Sequence, residues 1–224
     1  LERAAALQQE AAGLLEELAM LDLSALEHGD TLMLAGLRAL SPARRNNLLR
    51  HWALRRGLPP PPPQVLARVG PELLEAGEGC DPVLQWGEVQ LRRYRDRIHL
   101  LRQLPEPDPA SEHAWDLERP LELPGGVLSA CPALGEGLRR ASLGNEVKVG
   151  YRRGGERLRP RGDRHRRSLK KLLQGAGLPP WRRPLLPLVR VGDRVVAVAD
   201  RWLEHEFAAG EGEEGVRLHW RPRL

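Results

Sequence analysis

Apolar residues recur at helical spacing in the first third of the chain. Residues 1–20 predict a helix, because leucines recur along roughly one side of it. A second helix is predicted from Ser41, which can cap the first turn, to Gly57 and the neighbouring prolines, which end it. Residues 21–34 favour a short polar segment with an irregular strand. Residues 64–77 favour a further short helix or a pair of helices.

The hydrophobic period changes near residue 83. The segment PVLQWGEVQLRRYRDRIHLLRQL alternates apolar with polar positions, which predicts two short strands with Trp86-Gly87 near the first turn. Residues 104–118 are rich in proline and in acidic residues, and this composition is typical of a linker. The pattern therefore divides the chain into two parts on either side of that linker.

Strand and turn signals dominate the last third. Hairpins are predicted around residues 125–126, at residues 153–155 and, with a two-residue turn, at residues 192–193. The segment RRSLKKLLQGAGLPP predicts a short helix that is capped by Ser168 or Asp163 and turns three leucines toward the core. The segment GVRLHWRP predicts a last strand.

These patterns predict an α+β fold. A mainly helical first domain with a short β-hairpin is followed by a small mixed α/β domain built from antiparallel hairpins. The expected boundaries are a connecting helix at 1–20, a central domain at 21–103, the linker at 104–118 and a C-terminal domain at 119–224. A chain of 224 residues is long enough for this arrangement.

Charge is distributed unevenly along this framework. The chain carries 35 lysines and arginines against 30 acidic residues, which gives a net charge of +5. Residues 148–171 contain 11 basic and two acidic residues, so this window is net +9 and the remainder is net −4. A GC-rich genome can account for the preference for arginine over lysine, but not for this clustering. A cationic patch on a mildly acidic chain indicates a polyanionic partner, most commonly nucleic acid.

We define the basic strip as residues Arg152–Lys171 and expect it to bind phosphate. Each phosphate contact releases counterions, and arginine can donate two hydrogen bonds to one phosphate group. A solvated charged face is the alternative interpretation. The candidate phosphate-binding residues in the strip are Arg152, Arg153, Arg157, Arg159, Arg161, Arg164, Arg166, Arg167, Lys170 and Lys171. Those outside it are Arg182, Arg44 and Arg45.

Several further residues have both a binding and a structural interpretation. Arg55 and Arg56 can extend the pair Arg44–Arg45 into a second phosphate-facing surface, and the arginines between 92 and 97 can do the same. Trp181 can stack on a base, although a tryptophan between prolines more often packs in a core. The strip therefore remains the principal candidate site.

Signatures of catalysis are absent from the sequence. It contains no nucleotide-binding glycine loop, no nucleophile elbow and no recognisable general acid/base pair. The histidines and the two cysteines, Cys80 and Cys131, have no metal-ligand spacing. Five glutamates between residues 204 and 214 are interpreted as a solvated turn. Two unpatterned cysteines and the lack of a signal peptide or an apolar membrane-length run favour a cytoplasmic binding module.

The basic strip also carries a family resemblance. The segment YRRGGERLRPRGDRHRRSLKKLLQGAGLPPWRRPLLPLVRVGDRVVAVADRWL resembles the C-terminal domain of the bacterial tRNA(Ile)-lysidine synthetases, through R-x-GGE-x-LRP, LKKLLQ, G-x-PPW-x-R and an apolar-GD-apolar hairpin. Residues 37–101 resemble the central substrate-binding domain of that family, through LSPARRNNLLRHWALRRG and VLQWGEVQLRRYRDRIHLL. The two matches follow the order of the family and cover most of the chain.

This resemblance implies the activity of a longer enzyme. The family uses ATP, with Mg²⁺ expected, to adenylate the wobble cytidine of an isoleucine tRNA with a CAU anticodon, and lysine then displaces AMP. The family's N-terminal ATP-pyrophosphatase domain carries an SGGxDS loop, which does not occur in this sequence. Residues 1–20 would then be the helix leaving that domain. The expected partners of this chain are the tRNA and the N-terminal domain, and no cofactor site is expected in the chain itself.

Two other functions remain open on sequence alone. A protein-interaction module would use the proline run at 59–63, which is otherwise a helix stop and spacer. A general RNA-binding module would bind phosphate without preferring a folded tRNA. Phosphate binding weakens steeply as salt rises, which separates it from apolar docking. The oligomeric state stays undetermined.

Overall fold

The computed structural model describes residues 2–77, 79–144 and 146–223. The chain forms two compact units, Leu1–Gln103 and Leu104–Leu224. Helices are concentrated in the first unit and antiparallel strands in the second, so the predicted α+β class is confirmed. Among the described residues, none of the helices has the length and apolar character needed to span a bilayer.

In the first unit, the described residues form four α-helices and one antiparallel sheet. The helices are α1 (Glu2–Leu26), α2 (Leu34–Ala39), α3 (Pro42–Arg55) and α4 (Pro63–Arg68), and α4 leads into a π-helical segment (Val69–Leu74). The strands are β1 (Glu27–His28), β2 (Thr31–Met33), β3 (Val83–Trp86), β4 (Val89–Tyr94) and β5 (Arg97–Arg102). Their order in the sheet is β1-β2-β5-β4-β3.

Local signals in the sequence account for helix α3. The Ser41 hydroxyl accepts a hydrogen bond from the backbone N–H of Arg44 at 3.4 Å, and Pro42 occupies the first turn. Gly57 follows the helix with a positive φ of 64°, which a side chain would strain. Trp52 is fully buried in the core of the unit. The predicted cap and stop are both confirmed.

The segment of residues 83–102 forms one more strand than the sequence pattern predicts. Residues 83–102 form three strands, not two, because the chain turns again between β4 and β5. That turn contains Arg95 with a positive φ of 55° and Asp96, and it lacks the glycine that normally marks such a turn. The turn near Trp86-Gly87 lies where it was predicted.

The second unit contains one short helix, α5 (Leu169–Gly175), and eleven strands among the described residues. The strands are β6 (Glu112–Ala114), β7 (Leu121–Leu123), β8 (Gly126–Leu134), β9 (Leu138–Arg139), β10 (Val147–Gly150), β11 (Arg157–Leu158), β12 (Arg167–Ser168), β13 (Leu188–Val191), β14 (Arg194–Val198), β15 (Trp202–Leu203) and β16 (Glu214–Pro222). They form sheets of order β15-β14-β13-β10-β6, β7-β8-β16-β9 and β11-β12.

Two of the three predicted hairpins are confirmed. Strands β7 and β8 pair across the turn Pro124-Gly125, next to Gly126, and β13 and β14 pair across Gly192-Asp193. The hairpin predicted at residues 153–155 is wrong, because β10 pairs with β13 and β6 rather than with the segment that follows it. The next strand, β11, pairs with β12 instead and starts a different hairpin.

The segment predicted as a linker, residues 104–118, contributes to the fold of the second unit. Residues 112–114 form β6 at the edge of the five-stranded sheet. Trp115 is buried and its indole N–H donates to the carbonyl of Arg119 at 2.8 Å. A proline-rich, acidic composition can therefore supply an edge strand, since such a strand needs hydrogen bonds on one side only.

Candidate nucleic-acid interface

The centre of the basic strip is a hairpin. Strands β11 and β12 pair Arg157 with Ser168 and Leu158 with Arg167, and Leu158 is buried beneath them. We call the connection between them, residues 159–166, the cationic loop. The guanidinium of Arg157 also donates to the carbonyl of Arg166 at 3.3 Å, across the base of the loop.

The strip continues into helix α5. The Ser168 hydroxyl accepts from the N–H of Lys171 at 3.4 Å and caps the helix, so Ser168 rather than Asp163 provides the predicted cap. Three leucines, Leu169, Leu172 and Leu173, are buried. Helical spacing therefore directs the side chains of Lys170 and Lys171 to solvent.

Half of the strip's cations are neutralised by acids of the same unit. These pairs are Arg152–Glu156 at 3.8 Å, Arg153–Glu112 at 2.9 Å, Arg159–Glu206 at 3.5 Å, Arg166–Glu204 at 3.3 Å and Arg167–Asp163 at 3.2 Å. We call these five basic residues the paired cations. An arginine that already forms a salt bridge with a carboxylate attracts a phosphate group less strongly.

The other predicted residues of this unit form a second set, which we call the open cations. They are Arg157, Arg161, Arg164, Lys170, Lys171 and Arg182. All six are exposed, and none forms a salt bridge with a residue that the structure describes. Five of them lie on the β11–β12 hairpin, its loop and the first turn of α5, which are continuous in sequence. These five give the unit a locally uncompensated positive charge.

The cationic loop is fixed by a buried glutamate, Glu204, which was predicted from the sequence to lie in a solvated turn. Glu204 is only 1% exposed, and its carboxylate accepts from the backbone N–H of Arg159 at 3.0 Å and from the guanidinium of Arg166 at 3.3 Å. The prediction was wrong for this residue because its partners lie about forty positions earlier in the chain. Glu206 nearby remains exposed, and a hydrogen bond from Arg194 holds the pKa of its carboxyl below the usual range.

A second acid, Glu156, shapes the start of the strip. Its carboxylate accepts from the N–H groups of Arg153 at 2.6 Å and Gly154 at 3.0 Å. Gly154 and Gly155 have positive φ values of 97° and 81°, which lets the backbone fold around that carboxylate. This local loop replaces the hairpin predicted at residues 153–155. It also gives the GGE part of the sequence pattern a structural reason.

Of the five arginines in helix α3 and directly after it, three form salt bridges with described residues of the first unit. Arg44 donates to the carboxylate of Asp22 at 3.2 and 2.5 Å, and this hydrogen bond raises the pKa of the Arg44 guanidinium. Arg55 pairs with Glu27 at 2.5 Å. Arg56 pairs with Asp30 at 3.1 Å and lies 4.9 Å from the ring centre of Trp52. Arg45 is half-buried.

The arginines of strands β4 and β5 also have structural partners. Arg93 donates to the carbonyls of Leu73, Leu74 and Ala76 at 3.4, 3.2 and 2.7 Å, where the π-helical segment ends. Arg38 donates to the same Leu74 carbonyl at 3.1 Å. These contacts satisfy backbone carbonyls that the end of a helix leaves without intrahelical partners.

Trp181 and the proline run are partly packed. Trp181 is half-buried in a short 3₁₀ turn, Pro180–Arg182, next to the exposed Arg182. In the first unit, Pro61 is buried and the indole N–H of Trp86 donates to the carbonyl of Pro59 at 2.9 Å. These contacts favour the spacer interpretation of residues 59–63 over that of an exposed peptide ligand.

Residues 2–77, 79–144 and 146–223 bring together no group of three His, Cys, Asp or Glu side chains that could hold a metal ion. Cys131 contacts His219, with its sulfur 3.4 Å from Nε2, but no third candidate ligand from the described part of the chain joins them. We assign none of the described residues to ATP, lysine or a metal.

Comparisons with known proteins match both units. The family model described as the TilS substrate binding domain matches residues 32–99, and the model described as the TilS substrate C-terminal domain matches residues 147–220. A tRNA(Ile)-lysidine synthase of Alkalilimnicola ehrlichii is 46% identical over 94% of this chain and 48% of its own length. The enzyme of Methylococcus capsulatus is 40% identical over 95% of this chain and 50% of its own length.

The chain spans about half the length of these curated relatives. A crystal structure of a TilS C-terminal domain is also similar, with a TM-score of 0.41 and 21% identity over 51% of this chain and 99% of that one.

Proposed function

The chain belongs to the TilS family, and on that premise we propose that it is the tRNA-binding part of a tRNA(Ile)-lysidine synthase. The two family models describe a substrate-binding domain and a substrate C-terminal domain, in that order along the chain. Relatives that match nearly the whole chain carry the name of this enzyme. Binding and positioning of tRNA is the part of the activity that we assign to the described residues.

The observation that carries the proposal is the set of open cations. Five of its six members lie on one hairpin and the adjoining first turn of α5, and no described acid forms a salt bridge with them. Uncompensated charge of one sign is expected where a polyanion binds. Duplex RNA offers phosphates, 2′-hydroxyl groups and shape to such a surface, with little access to base edges.

We propose different roles for the open and the paired cations. The open cations contact backbone phosphates and orient the tRNA, which does not require reading its sequence. The paired cations of the strip hold the surface in shape through their carboxylate partners. In this proposal, Arg44 and Arg45 mainly stabilise the first unit and contribute little to tRNA binding.

The chemistry of the complete relatives is a further part of the proposal. Such an enzyme would ligate lysine to the wobble cytidine of the CAU anticodon in an isoleucine tRNA, with ATP and Mg²⁺. None of these steps is assigned to a residue described here, so the chain alone is expected to be inactive. The cytoplasm is the compartment in which this activity would operate.

The test is a binding measurement across a salt series. The purified 224-residue chain would be titrated with an isoleucine tRNA carrying a CAU anticodon, and in parallel with initiator and elongator methionine tRNAs. We expect binding that weakens as salt rises and a preference for the isoleucine tRNA. No binding of any tRNA at low salt would overturn the proposal for this chain.

A second candidate, a general phosphate clamp, is favoured by the same charge distribution. It predicts equal salt-sensitive binding to all three tRNAs and to an unrelated RNA duplex of similar length. That result would assign discrimination to the remainder of the enzyme and leave only tRNA positioning to these residues.

A further inference from the structure

We infer that Glu204 is a positioning residue that holds the cationic loop in the shape that binds RNA; this inference depends on the proposed function. In this role, Glu204 itself does not contact RNA. It acts through the open cations Arg161 and Arg164, which lie between the two ends of the loop that it binds.

The carboxylate of Glu204 joins both ends of the loop. One oxygen accepts from the backbone N–H of Arg159, the first residue of the loop, at 3.0 Å. The other accepts from the guanidinium of Arg166, the last residue, at 3.3 Å. One side chain thereby cross-links eight residues and reduces the number of conformations open to the segment between its contacts.

Backbone contacts place the same segment beside Glu204. The N–H of Arg161 donates to the carbonyl of Leu203 at 3.2 Å, and the N–H of His205 donates to the carbonyl of Arg159 at 2.8 Å. Pro160 and Glu204 form an isolated β-bridge. The loop is therefore docked on the segment from β15 to the following turn, while Arg161 and Arg164 remain exposed.

Because Glu204 is buried, its carboxylate depends on the cationic loop for hydrogen bonds. A carboxylate that is 1% exposed has little access to water and needs donors from the protein. The two donors that contact its carboxylate, the Arg159 N–H and the Arg166 guanidinium, both belong to the cationic loop, so satisfying Glu204 requires the loop to keep its position. A loop that is already ordered loses less conformational entropy when it binds phosphates, which strengthens binding without adding a contact.

An alternative role for Glu204 makes the opposite prediction. If the glutamate mainly neutralises Arg166, its removal frees a cation for phosphate binding. The affinity for RNA would then rise, and the dependence on salt would become steeper by about one unit in the slope of log K against log salt. Salt slope therefore separates a positioning role from a masking role.

The experiment compares Glu204→Gln with the unmodified chain. Binding of isoleucine tRNA with a CAU anticodon is measured across the salt series, and folding is checked by circular dichroism and thermal unfolding. A positioning role predicts about a tenfold loss of affinity with an unchanged salt slope, because the phosphate contacts stay the same in number. Glu211→Gln is the matched control, since it removes the same charge from an exposed glutamate of the unit.

Arg166→Ala keeps the inference testable if Glu204→Gln fails to fold. Arg166 has an accessible side chain, and its removal cuts one arm of the cross-link. If Arg166 helps to position the loop, Arg166→Ala should bind tRNA more weakly with the same salt slope. If Arg166 contacts a phosphate directly, the salt slope should be lower by about one unit. Unchanged or stronger binding by a folded Glu204→Gln chain, while the unmodified chain binds tRNA, would overturn this inference alone. Absence of binding by the unmodified chain would overturn the proposed function as well.

Discussion

Helix α3 and the basic strip are both rich in arginine, but the acids that pair with these arginines come from different parts of the chain. Arg44 and Arg55 in α3 and Arg56 just after it each pair with an acid of the first unit, whereas Arg45 and Arg50 form no salt bridge with a residue that the structure describes. In the strip, five cations are paired and five others remain open. Local density of arginine is therefore a poor guide to binding unless the acids that reach each side chain in the fold are also known.

The acids that can pair with the two arginine-rich surfaces lie in different places along the chain. Asp22, Glu27 and Asp30 lie 22 to 28 positions before their arginine partners and meet them through the packing of α1 and the β1–β2 segment. In the cationic loop and the first turn of α5, Asp163 is the one acid present in the sequence, and Arg167 already occupies it. The shortage of local acids leaves Arg161, Arg164 and the two lysines open.

Removing four open cations is expected to have the largest effect on binding. We predict that replacing Arg157, Arg161, Arg164 and Lys171 together with alanine lowers tRNA affinity about 10²–10³-fold near 0.1 M salt, because each phosphate contact contributes about 0.9 to the salt slope. The unfolding midpoint should stay close to that of the unmodified chain. Titration with tRNA across a salt series measures both quantities.

The matched control replaces the arginines of the other surface. A chain with alanine at Arg44, Arg45, Arg55 and Arg56 should be less stable but should keep its salt slope at temperatures where it is folded. Equal loss of slope in both variants would mean that the distinction between open and paired cations has no bearing on RNA binding.

Arg44 alone tests the structural side of the comparison. Arg44→Ala leaves the carboxylate of Asp22, which is 5% exposed, without its guanidinium partner. An unpaired buried charge destabilises the fold, so we expect the thermal unfolding midpoint to fall by several degrees. Helical circular dichroism follows the unfolding, since most helices belong to the first unit.

A double variant shows whether the Asp22 pair is the cause. Adding Asp22→Ala to Arg44→Ala removes the unpaired charge, so part of the lost stability should return. If the double variant is as unstable as the sum of the two single variants, the two side chains do not act as a pair.

Local sequence signals predicted much of this fold, and long-range contacts account for most of what they missed. The cap at Ser41, the stop at Gly57 and the turn at residues 192–193 each depend on neighbouring residues. The false hairpin at residues 153–155 has the glycines of a turn, but those glycines wrap around the Glu156 carboxylate. Nothing local in the sequence distinguishes these two uses of Gly-Gly.

The candidate site was predictable as a segment but not as a set of residues. The excess of positive charge between residues 148 and 171 is visible in the sequence. Which of its cations are paired depends on Glu112, Glu204 and Glu206, which lie 38 or more positions from their partners along the chain. The role of each arginine therefore follows from tertiary structure, and whether the open cations contact tRNA stays a prediction.

Substitution of Lys170 is expected to have a smaller effect, and it should change tRNA binding and stability in opposite directions. The first turn of α5 contains two lysines and no acid, although the positive end of the helix dipole favours an acid there. We predict that Lys170→Glu stabilises the second unit by about 0.3–1 kcal/mol at low ionic strength and weakens tRNA binding. Thermal unfolding and RNA titration of the same preparation measure the two effects.

Lys170→Gln separates loss of charge from reversal of charge. This variant should bind tRNA with an affinity between that of the unmodified chain and that of Lys170→Glu. If Lys170→Glu lowers both stability and affinity, the lysine supports the fold and does not belong among the open cations.

Substitution of Tyr151 by phenylalanine is expected to have the smallest effect, and it tests where the RNA-binding surface begins. Tyr151 directly precedes the basic strip, it is buried, and its hydroxyl has no hydrogen-bond partner among the described residues. A buried hydroxyl without a partner contributes little to stability, so Tyr151→Phe should leave the unfolding midpoint unchanged or slightly higher. Binding of tRNA should stay the same, because the hydroxyl is not accessible to a phosphate group.

Alkaline pH gives Tyr151 an independent measurement. Burial raises the pKa of its phenol from 10.0 to about 12, so the folded chain keeps the proton at a pH where the unfolded chain loses it. The contribution of Tyr151 to stability is therefore complete below pH 10 and is lost as the pH rises toward about 12. The difference in unfolding free energy between the unmodified chain and Tyr151→Phe should grow across that interval in favour of phenylalanine. A constant difference, or weaker tRNA binding by Tyr151→Phe at neutral pH, would mean that the hydroxyl is accessible and that the RNA surface extends to Tyr151.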